Sequence, residues 1–342
     1  DDGPQSHLKK TGTPTMGGMM FIAGILVGTL AFSLNATELA LPALLVTVGF
    51  SLVGFLDDFL KVKYKNTVGL KAYQKIIAQF GIALILALYA YNSPFVGSKI
   101  YIAFFDVEWD LGVFYIPFVM FIIIATVNSV NLTDGLDGLA SGVSLIYAVT
   151  MAIIFYYMST VMILPSDAGQ AAQTQYAAEL NSMSIFAAAV AGGCLGFLRF
   201  NSYPARIFMG DTGSLTLGYT LSFLAIKYSQ HNADIMPYTE GAFIIAFSTM
   251  IIPAFDVVRV VLVRIREGHS PFEPDKNHIH HKLLAIGLSP RRAMLSLLSM
   301  SCAFSAANIL LVPYINNTVL LIADIVIWVG LNLWWDYLRD RK

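Results

Sequence analysis

Three groups of carboxylates in this chain sit where carboxylates are costly. Asp57 and Asp58 are adjacent at the end of the apolar run 40–56. Asp134 and Asp137 follow the apolar run 113–130, in "NLTDGLDGLA", and Asp211 lies in "FMGDTGS" at a Gly-rich break before another run. Neighbouring carboxylates repel and raise each other's pKa, so a pair at a membrane boundary calls for a cation. Asp134 and Asp137 are spaced i,i+3, one face if the segment is helical, with Asn131 three residues earlier. Hard oxygen donors of this kind suit Mg²⁺, which takes a few carboxylates together with water and substrate phosphate. Any one of these acids alone reads first as a helix N-cap or a solvated helix end. Three clusters on one face, all in Gly-rich turns, favour a shared site.

A second constellation is basic. "HSPFEPDKNHIHHKLL" holds His269, His278, His280 and His281, four of the chain's 6 histidines. Zinc is a poor reading, because no Cys is near and adjacent His280 and His281 do not easily share one tetrahedral ion. Lys276, Lys282, Arg291 and Arg292 flank the histidines. A basic loop facing acid-held Mg²⁺ suits the anionic oxygens of a diphosphate; the plain alternative is an ordinary juxtamembrane basic loop. "KKTGTPTMGG" puts Lys9 and Lys10 before Gly12, Gly17 and Gly18, where glycine permits close backbone approach to a ligand. Its spacing is not that of a P-loop.

The elements that must position these residues are membrane helices. Of 342 residues, 56% are hydrophobic and 13% charged, with a mean hydropathy of +0.66; a soluble domain carries about 25% charged residues. Ten apolar runs near membrane-spanning length occur at 17–34, 40–56, 73–91, 113–130, 143–164, 184–200, 211–228, 241–263, 292–313 and 318–337. The run at 211–228 is the weakest, being short and rich in Gly, Ser and Thr. The expected fold is all-α, a single polytopic bundle over 1–342. Continuous rather than alternating runs argue against a β-barrel. With the first residues cytoplasmic, all of the 21 Lys and Arg except Lys99 and Lys227 fall on or next to cytoplasmic segments, as the positive-inside rule requires. The acids and histidines then share the cytoplasmic face, and the outer loops 92–112, 165–183 and 229–240 carry no chemical constellation. A net charge of −1 set by topology gives no sign of nucleic acid. Cys194 and Cys302 read as small apolar core residues, Asp256 and Arg259 as an intramembrane ion pair, Asp324 as structural or a modest polar contact, and Asp336 as solvated near a span end.

These five ordered motifs, spread over nearly the whole chain, resemble the polyprenyl-phosphate N-acetylhexosamine-1-phosphate transferase superfamily, the glycosyltransferase family 4 group of integral membrane enzymes with MraY, WecA and TagO branches. The resemblance implies a Mg²⁺-dependent enzyme of the bacterial cytoplasmic membrane, with its site facing the cytoplasm. Such enzymes move a phospho-amino sugar from a UDP-sugar to undecaprenyl or another polyprenyl phosphate and release UMP; a homodimer is compatible with the resemblance. Asp57 and Asp58 match the family's acid pair, and Asn131, Asp134 and Asp137 its NxxDGxDG. Asp211 matches a metal ligand. His278, His280 and His281 match a histidine motif expected on the donor's phosphates and sugar, and Lys9 and Thr13 lie in a pocket element. Asp57 is the expected base on the lipid phosphate; a two-step route through an aspartyl nucleophile stays open.

The branch signals are mixed. "SHLKKTGTPTMGG", "NLTDGLDGLA" and "FNSYPA" resemble MraY, which uses UDP-MurNAc-pentapeptide. "SPFEPDKNHIHH" resembles WecA and TagO, which use UDP-GlcNAc, and two spans follow His281 where MraY has one. The expectation leans slightly to UDP-GlcNAc, with the muramoyl donor as the alternative. The family's first helix is expected to lie upstream of Asp1. The competing class is an ion-coupled carrier, suggested by Asp256 and the broken Gly-rich segments. The acids cluster at one face rather than at the midplane, which favours the enzyme.

Overall fold

The computed structural model of the chain describes residues 12–33, 37–64, 69–92, 98–102, 107–161, 169–229, 241–269 and 278–341. Lys9 and residues 270–277 of the histidine loop lie outside the described residues. The helices are α1 (Gly18–Phe32), α2 (Thr37–Tyr64), α3 (Ala72–Tyr91), α4 (Tyr115–Thr133), α5 (Leu139–Val161), α6 (Gly169–Asn201), α7 (Gly210–Ser229), α8 (Ala242–Thr249), α9 (Ile251–Arg266), α10 (Ile279–Ala285), α11 (Pro290–Leu311) and α12 (Asn317–Asp340). In their described residues all ten apolar runs are mainly helical, and the fold is an all-α membrane bundle. Among the described residues seven helices are long and apolar enough to cross a membrane: α2 to α6, α11 and α12.

The other three runs differ for separate reasons. α1 has 15 residues. α7 has 20 residues but low hydropathy, because it meets protein rather than lipid: nearly every residue from Thr212 to Tyr228 is buried. It packs against α1, α2, α4, α5, α6 and α8. Small residues let the surrounding helices close on it. Several of its hydroxyls bond within the helix, Ser214 donating to Gly210 O (3.1 Å), Thr216 to Thr212 O (2.6 Å) and Ser222 to Gly218 O (2.8 Å). The run 241–263 is broken at Met250 into α8 and α9. Pro253 has no N–H for the carbonyl four residues back, which belongs to Thr249. Ser301 Oγ of α11 donates to that carbonyl at 2.8 Å.

Two departures lie away from the site. The connection between α3 and α4 holds a short antiparallel hairpin, β1 (Lys99–Ile102) and β2 (Val107–Asp110). Cys302 is exposed on α11 rather than in the core, whereas Cys194 is buried. A main core surrounds α7, and a second apolar cluster joins α9, α10, α11 and α12 through residues such as Ile279, Leu283, Trp328 and Trp335.

Candidate active site

The last turns of α2 and α4 and the first turns of α3 and α7 meet at one end of the bundle. α2 reaches α7 because residue 54 is glycine: a Cβ there would lie about 2.5 Å from Thr212 Cα. That contact brings Asp57 and Asp58 to the start of α7. Successive helical side chains point about 100° apart, and the two acids go to different partners.

Asp58 caps α7 from a neighbouring helix. Its Oδ1 accepts from Asp211 N (3.1 Å), and its Oδ2 accepts from Thr212 N (2.8 Å) and Thr212 Oγ1 (2.6 Å). These N–H groups are among the orphans of the first helical turn. The N-cap reading of a lone acid is thus realised here, across 150 residues of sequence rather than locally.

Asp57 and Asp211 share two lysines. Lys61 Nζ is 2.5 Å from Asp57 Oδ2 and 3.1 Å from Asp211 Oδ2; Lys75 Nζ is 3.2 Å and 2.5 Å from the same atoms. Leu70 N donates to Asp57 Oδ1 at 2.7 Å. Asn131 Nδ2 donates to Asp211 Oδ1 (2.9 Å) and to Ser214 Oγ (2.7 Å). Asp57 and Asp58 are buried, whereas Asp211 and both lysines keep part of their surface open. The sequence reading assigned the compensating charge to a metal ion; Lys61 and Lys75 supply positive charge here. Lys61 was legible as the i+4 partner of Asp57. Lys75 stands on another helix and had no local signal.

One oxygen each of Asp57, Asp58 and Asp211 lies within 4.8 Å of the others, so this trio could hold a metal ion. Carboxylate oxygens grouped this closely are the donor set of a hard divalent cation, and the residues fit one.

Asp134 and Asp137 do not form the helical face expected of them. α4 ends at Thr133, and Asp134 N bonds to Asn131 O in the closing turn (3.2 Å). The glycines at 135 and 138 turn the chain before α5. Asp134 is half-buried and is not part of the three-carboxylate group. Asp137 is buried, and its Oδ2 accepts from Ala205 N (3.0 Å). Asn201, which the sequence reading missed, reinforces that tie: its Oδ1 accepts from Gly138 N (3.1 Å) and Ser141 Oγ (3.0 Å). Thr13 is half-buried in the segment before α1. There Gly17 N donates to Phe208 O and Phe208 N to Pro14 O, which fixes the approach to Asp211.

The histidines sit at α10, against the loop after α4. His278 Nδ1 lies 2.9 Å from Asp256 Oδ2, and Ile279 N donates to Asp256 Oδ1 (2.9 Å). Asp256 therefore starts α10 as well as pairing with Arg259 (3.1 Å). The His280 ring rests on the backbone at residue 135; a Cβ there would stand 2.9 Å from its Cε1 and Nε2. His278 and His280 are stacked with centroids 5.8 Å apart, and His280 and His281 are 4.2 Å apart. Lys282 lies on the side of α10 opposite His280. Its Nζ bonds Asp336 Oδ2 on α12 at 2.7 Å, and burial lowers its pKa although Asp336 opposes the shift. Asp336 is accordingly a bonded residue, not a solvated end. Asp324 makes the polar contact open to it, accepting from Asn308 Nδ2 at 3.0 Å.

Residues 40–229 match the family described as Glycosyl transferase family 4, the segment carrying all three carboxylates. The chain is 42% identical over 275 residues to the phospho-N-acetylmuramoyl-pentapeptide-transferase of Clostridioides difficile, covering 80% of this chain and 79% of that protein. It is 40% identical over 284 residues to the enzyme of the same name from Desulfitobacterium hafniense, covering 83% and 79%. With that of Thermoanaerobacter sp. it shares 47% identity over 226 residues, covering 66% and 64%. The chain belongs to glycosyl transferase family 4 and, with it, to the polyprenyl-phosphate hexosamine-1-phosphate transferase superfamily.

Proposed function

We propose that this chain transfers phospho-N-acetylmuramoyl-pentapeptide from its UDP-linked form to a polyprenyl phosphate, releasing UMP, at the cytoplasmic face of a bacterial inner membrane. The observation that carries the reading is the meeting of Asp57, Asp58 and Asp211 with Lys61, Lys75 and Asn131 at one end of the bundle. The slight preference for UDP-GlcNAc rested on the histidine loop. That loop lies outside the matched residues 40–229, whereas relatives sharing 40–42% identity over four-fifths of the chain bear the muramoyl name. The relatives outweigh the loop.

In this reading two anions must meet, one on a lipid and one arriving from water. Lys61 and Lys75 draw phosphate oxygens toward Asp57 and Asp211 and reduce their mutual repulsion. Asp57 keeps the lipid phosphate deprotonated, so that its oxygen attacks the sugar-bearing phosphorus of the donor. The bond from that phosphorus to the UMP oxygen breaks as the new phosphoanhydride forms, and no outside energy source is needed. Asp58 holds α7, and with it Asp211, in place. Mg²⁺ would be held by Asp211 with Asp57 and Asp58; when bound it offsets phosphate charge and stabilises the leaving group. His278, His280 and His281 hold the donor diphosphate, and the 12–18 segment borders the pocket.

A donor panel tests the assignment. UMP release is measured with undecaprenyl phosphate, Mg²⁺ and, in turn, UDP-MurNAc-pentapeptide, UDP-GlcNAc and UDP-GalNAc. The muramoyl donor is expected to exceed the others in kcat/KM by more than about tenfold. A preference for UDP-GlcNAc would restore the histidine-loop reading, and activity with none would favour the transporter class.

A further inference from the structure

We infer that the last helix, α12, is an element of the donor site: Asp336 and Asn332 set the rotation of the histidine helix through Lys282, and so set affinity for a nucleoside diphosphate. The inference rests on the reading that the α10 histidines hold the donor's diphosphate. The residues concerned lie outside the matched stretch 40–229.

α10 has seven residues, too few for a helix to be stable on its own. Its orientation must come from what it touches. At its start, Asp256 accepts from Ile279 N and pairs with His278. On the front, His280 bears on the backbone of Gly135, which allows no side chain beneath the ring. Ile279 and Leu283 enter the apolar cluster that contains Trp328 and Trp335 of α12.

Among these contacts the apolar ones set no rotation by themselves. Apolar packing is non-directional, and the Asp256 anchor lies at one end. Lys282 adds a directional tie on another side of the helix. It stands two residues after His280, about 200° around the helix, so it anchors the side opposite the ring that faces Gly135. Its Nζ bonds Asp336 Oδ2 at 2.7 Å and reaches Asn332 Oδ1 at 3.5 Å, and the side chain is buried. Both partners are themselves fixed: Asn332 Nδ2 donates to Trp328 O (3.0 Å), and Arg339 pairs with the other oxygen of Asp336 (3.3 Å). A directional bond on the far side of α10 thus helps to hold the His280 ring against Gly135.

Asp336 and Lys282 touch no reacting atom, so they are positioning residues. Loss of the anchor costs donor binding but spares the chemistry at the carboxylates. The test uses the full chain in membranes or detergent with Mg²⁺, and UDP as the binding probe. Asp336→Asn is expected to weaken UDP binding and raise donor KM about tenfold, with kcat within about twofold. Asp336→Glu should recover most of the affinity. Lys282→Met, which removes the buried ammonium altogether, should reproduce the KM effect and stands in should Asp336→Asn fail to fold. His280→Asn separates the two readings. If it weakens UDP binding while Asp336→Asn and Lys282→Met leave affinity and KM within twofold, the inference is overturned and the histidine reading stands. If His280→Asn also leaves UDP binding unchanged, the histidine reading itself fails and takes the inference with it.

Discussion

The two ends of α7 handle buried charge differently. At the far end Lys227 Nζ meets Glu179 Oε1 at 2.7 Å and lies 5.5 Å from the centroid of the Tyr89 ring. Among the described residues one cation there has one anion, and the pair is closed. At the near end Asp211 shares Lys61 and Lys75 with Asp57, takes a third bond from Asn131, and starts beneath the cap provided by Asp58. Among the described residues three carboxylates there stand against two ammonium groups. A closed pair inside a bundle offsets its own desolvation and does little else. A cluster with surplus acid, and with partners divided between several groups, can exchange a lysine contact for a phosphate or a divalent ion without leaving any charge alone. The same helix thus shows a structural use of charge at one end and a chemical use at the other.

Substitutions break or sharpen this contrast. Asp57→Asn, assayed by UMP release, is expected to lower kcat by about 10³-fold, because the group proposed to keep the acceptor ionised is lost. Lys75→Met should reduce kcat/KM by about 10–100-fold, since one of the two cations shared with Asp211 disappears. Gly135→Ala places a Cβ 2.9 Å from the His280 ring; donor KM should rise about tenfold while kcat changes little. At the far end, Lys227→Met should leave UMP release within about twofold. It should nevertheless cost about 2–4 kcal/mol of stability, read as a fall in Tm, because Glu179 then lacks its ion partner. A large activity loss in that last variant would erase the distinction between the two ends.

How much of this was legible in the sequence varied with the range of the interaction. The helices were, because each apolar run is a local signal. Even α7, weakest by hydropathy, follows from its own composition: a helix rich in Gly, Ser and Thr surrounded by other helices need not be greasy. The break at Met250 is a proline effect that becomes visible once Ser301 is seen to take the freed carbonyl. The acids were recognised as a group, but their division of labour was not. Asp58 caps a helix that begins more than 150 residues later, and no local pattern announces it. Asp137 reads as a member of an i,i+3 pair, yet the turn at Gly135 and Gly138 sends it to Ala205 N. Lys75 and Asp336 gain their roles only from helix packing. Motif reading finds which residue types gather at one face; tertiary contact decides which of them meet.

The carboxylate cluster itself is tested most directly by UMP release from Asp211→Asn, with Mg²⁺ titrated, in protein whose Tm matches that of the parent chain. The account predicts a fall of about 10³-fold that added Mg²⁺ does not recover. Release within threefold of the parent at the same Mg²⁺ would contradict it, whatever the donor proves to be.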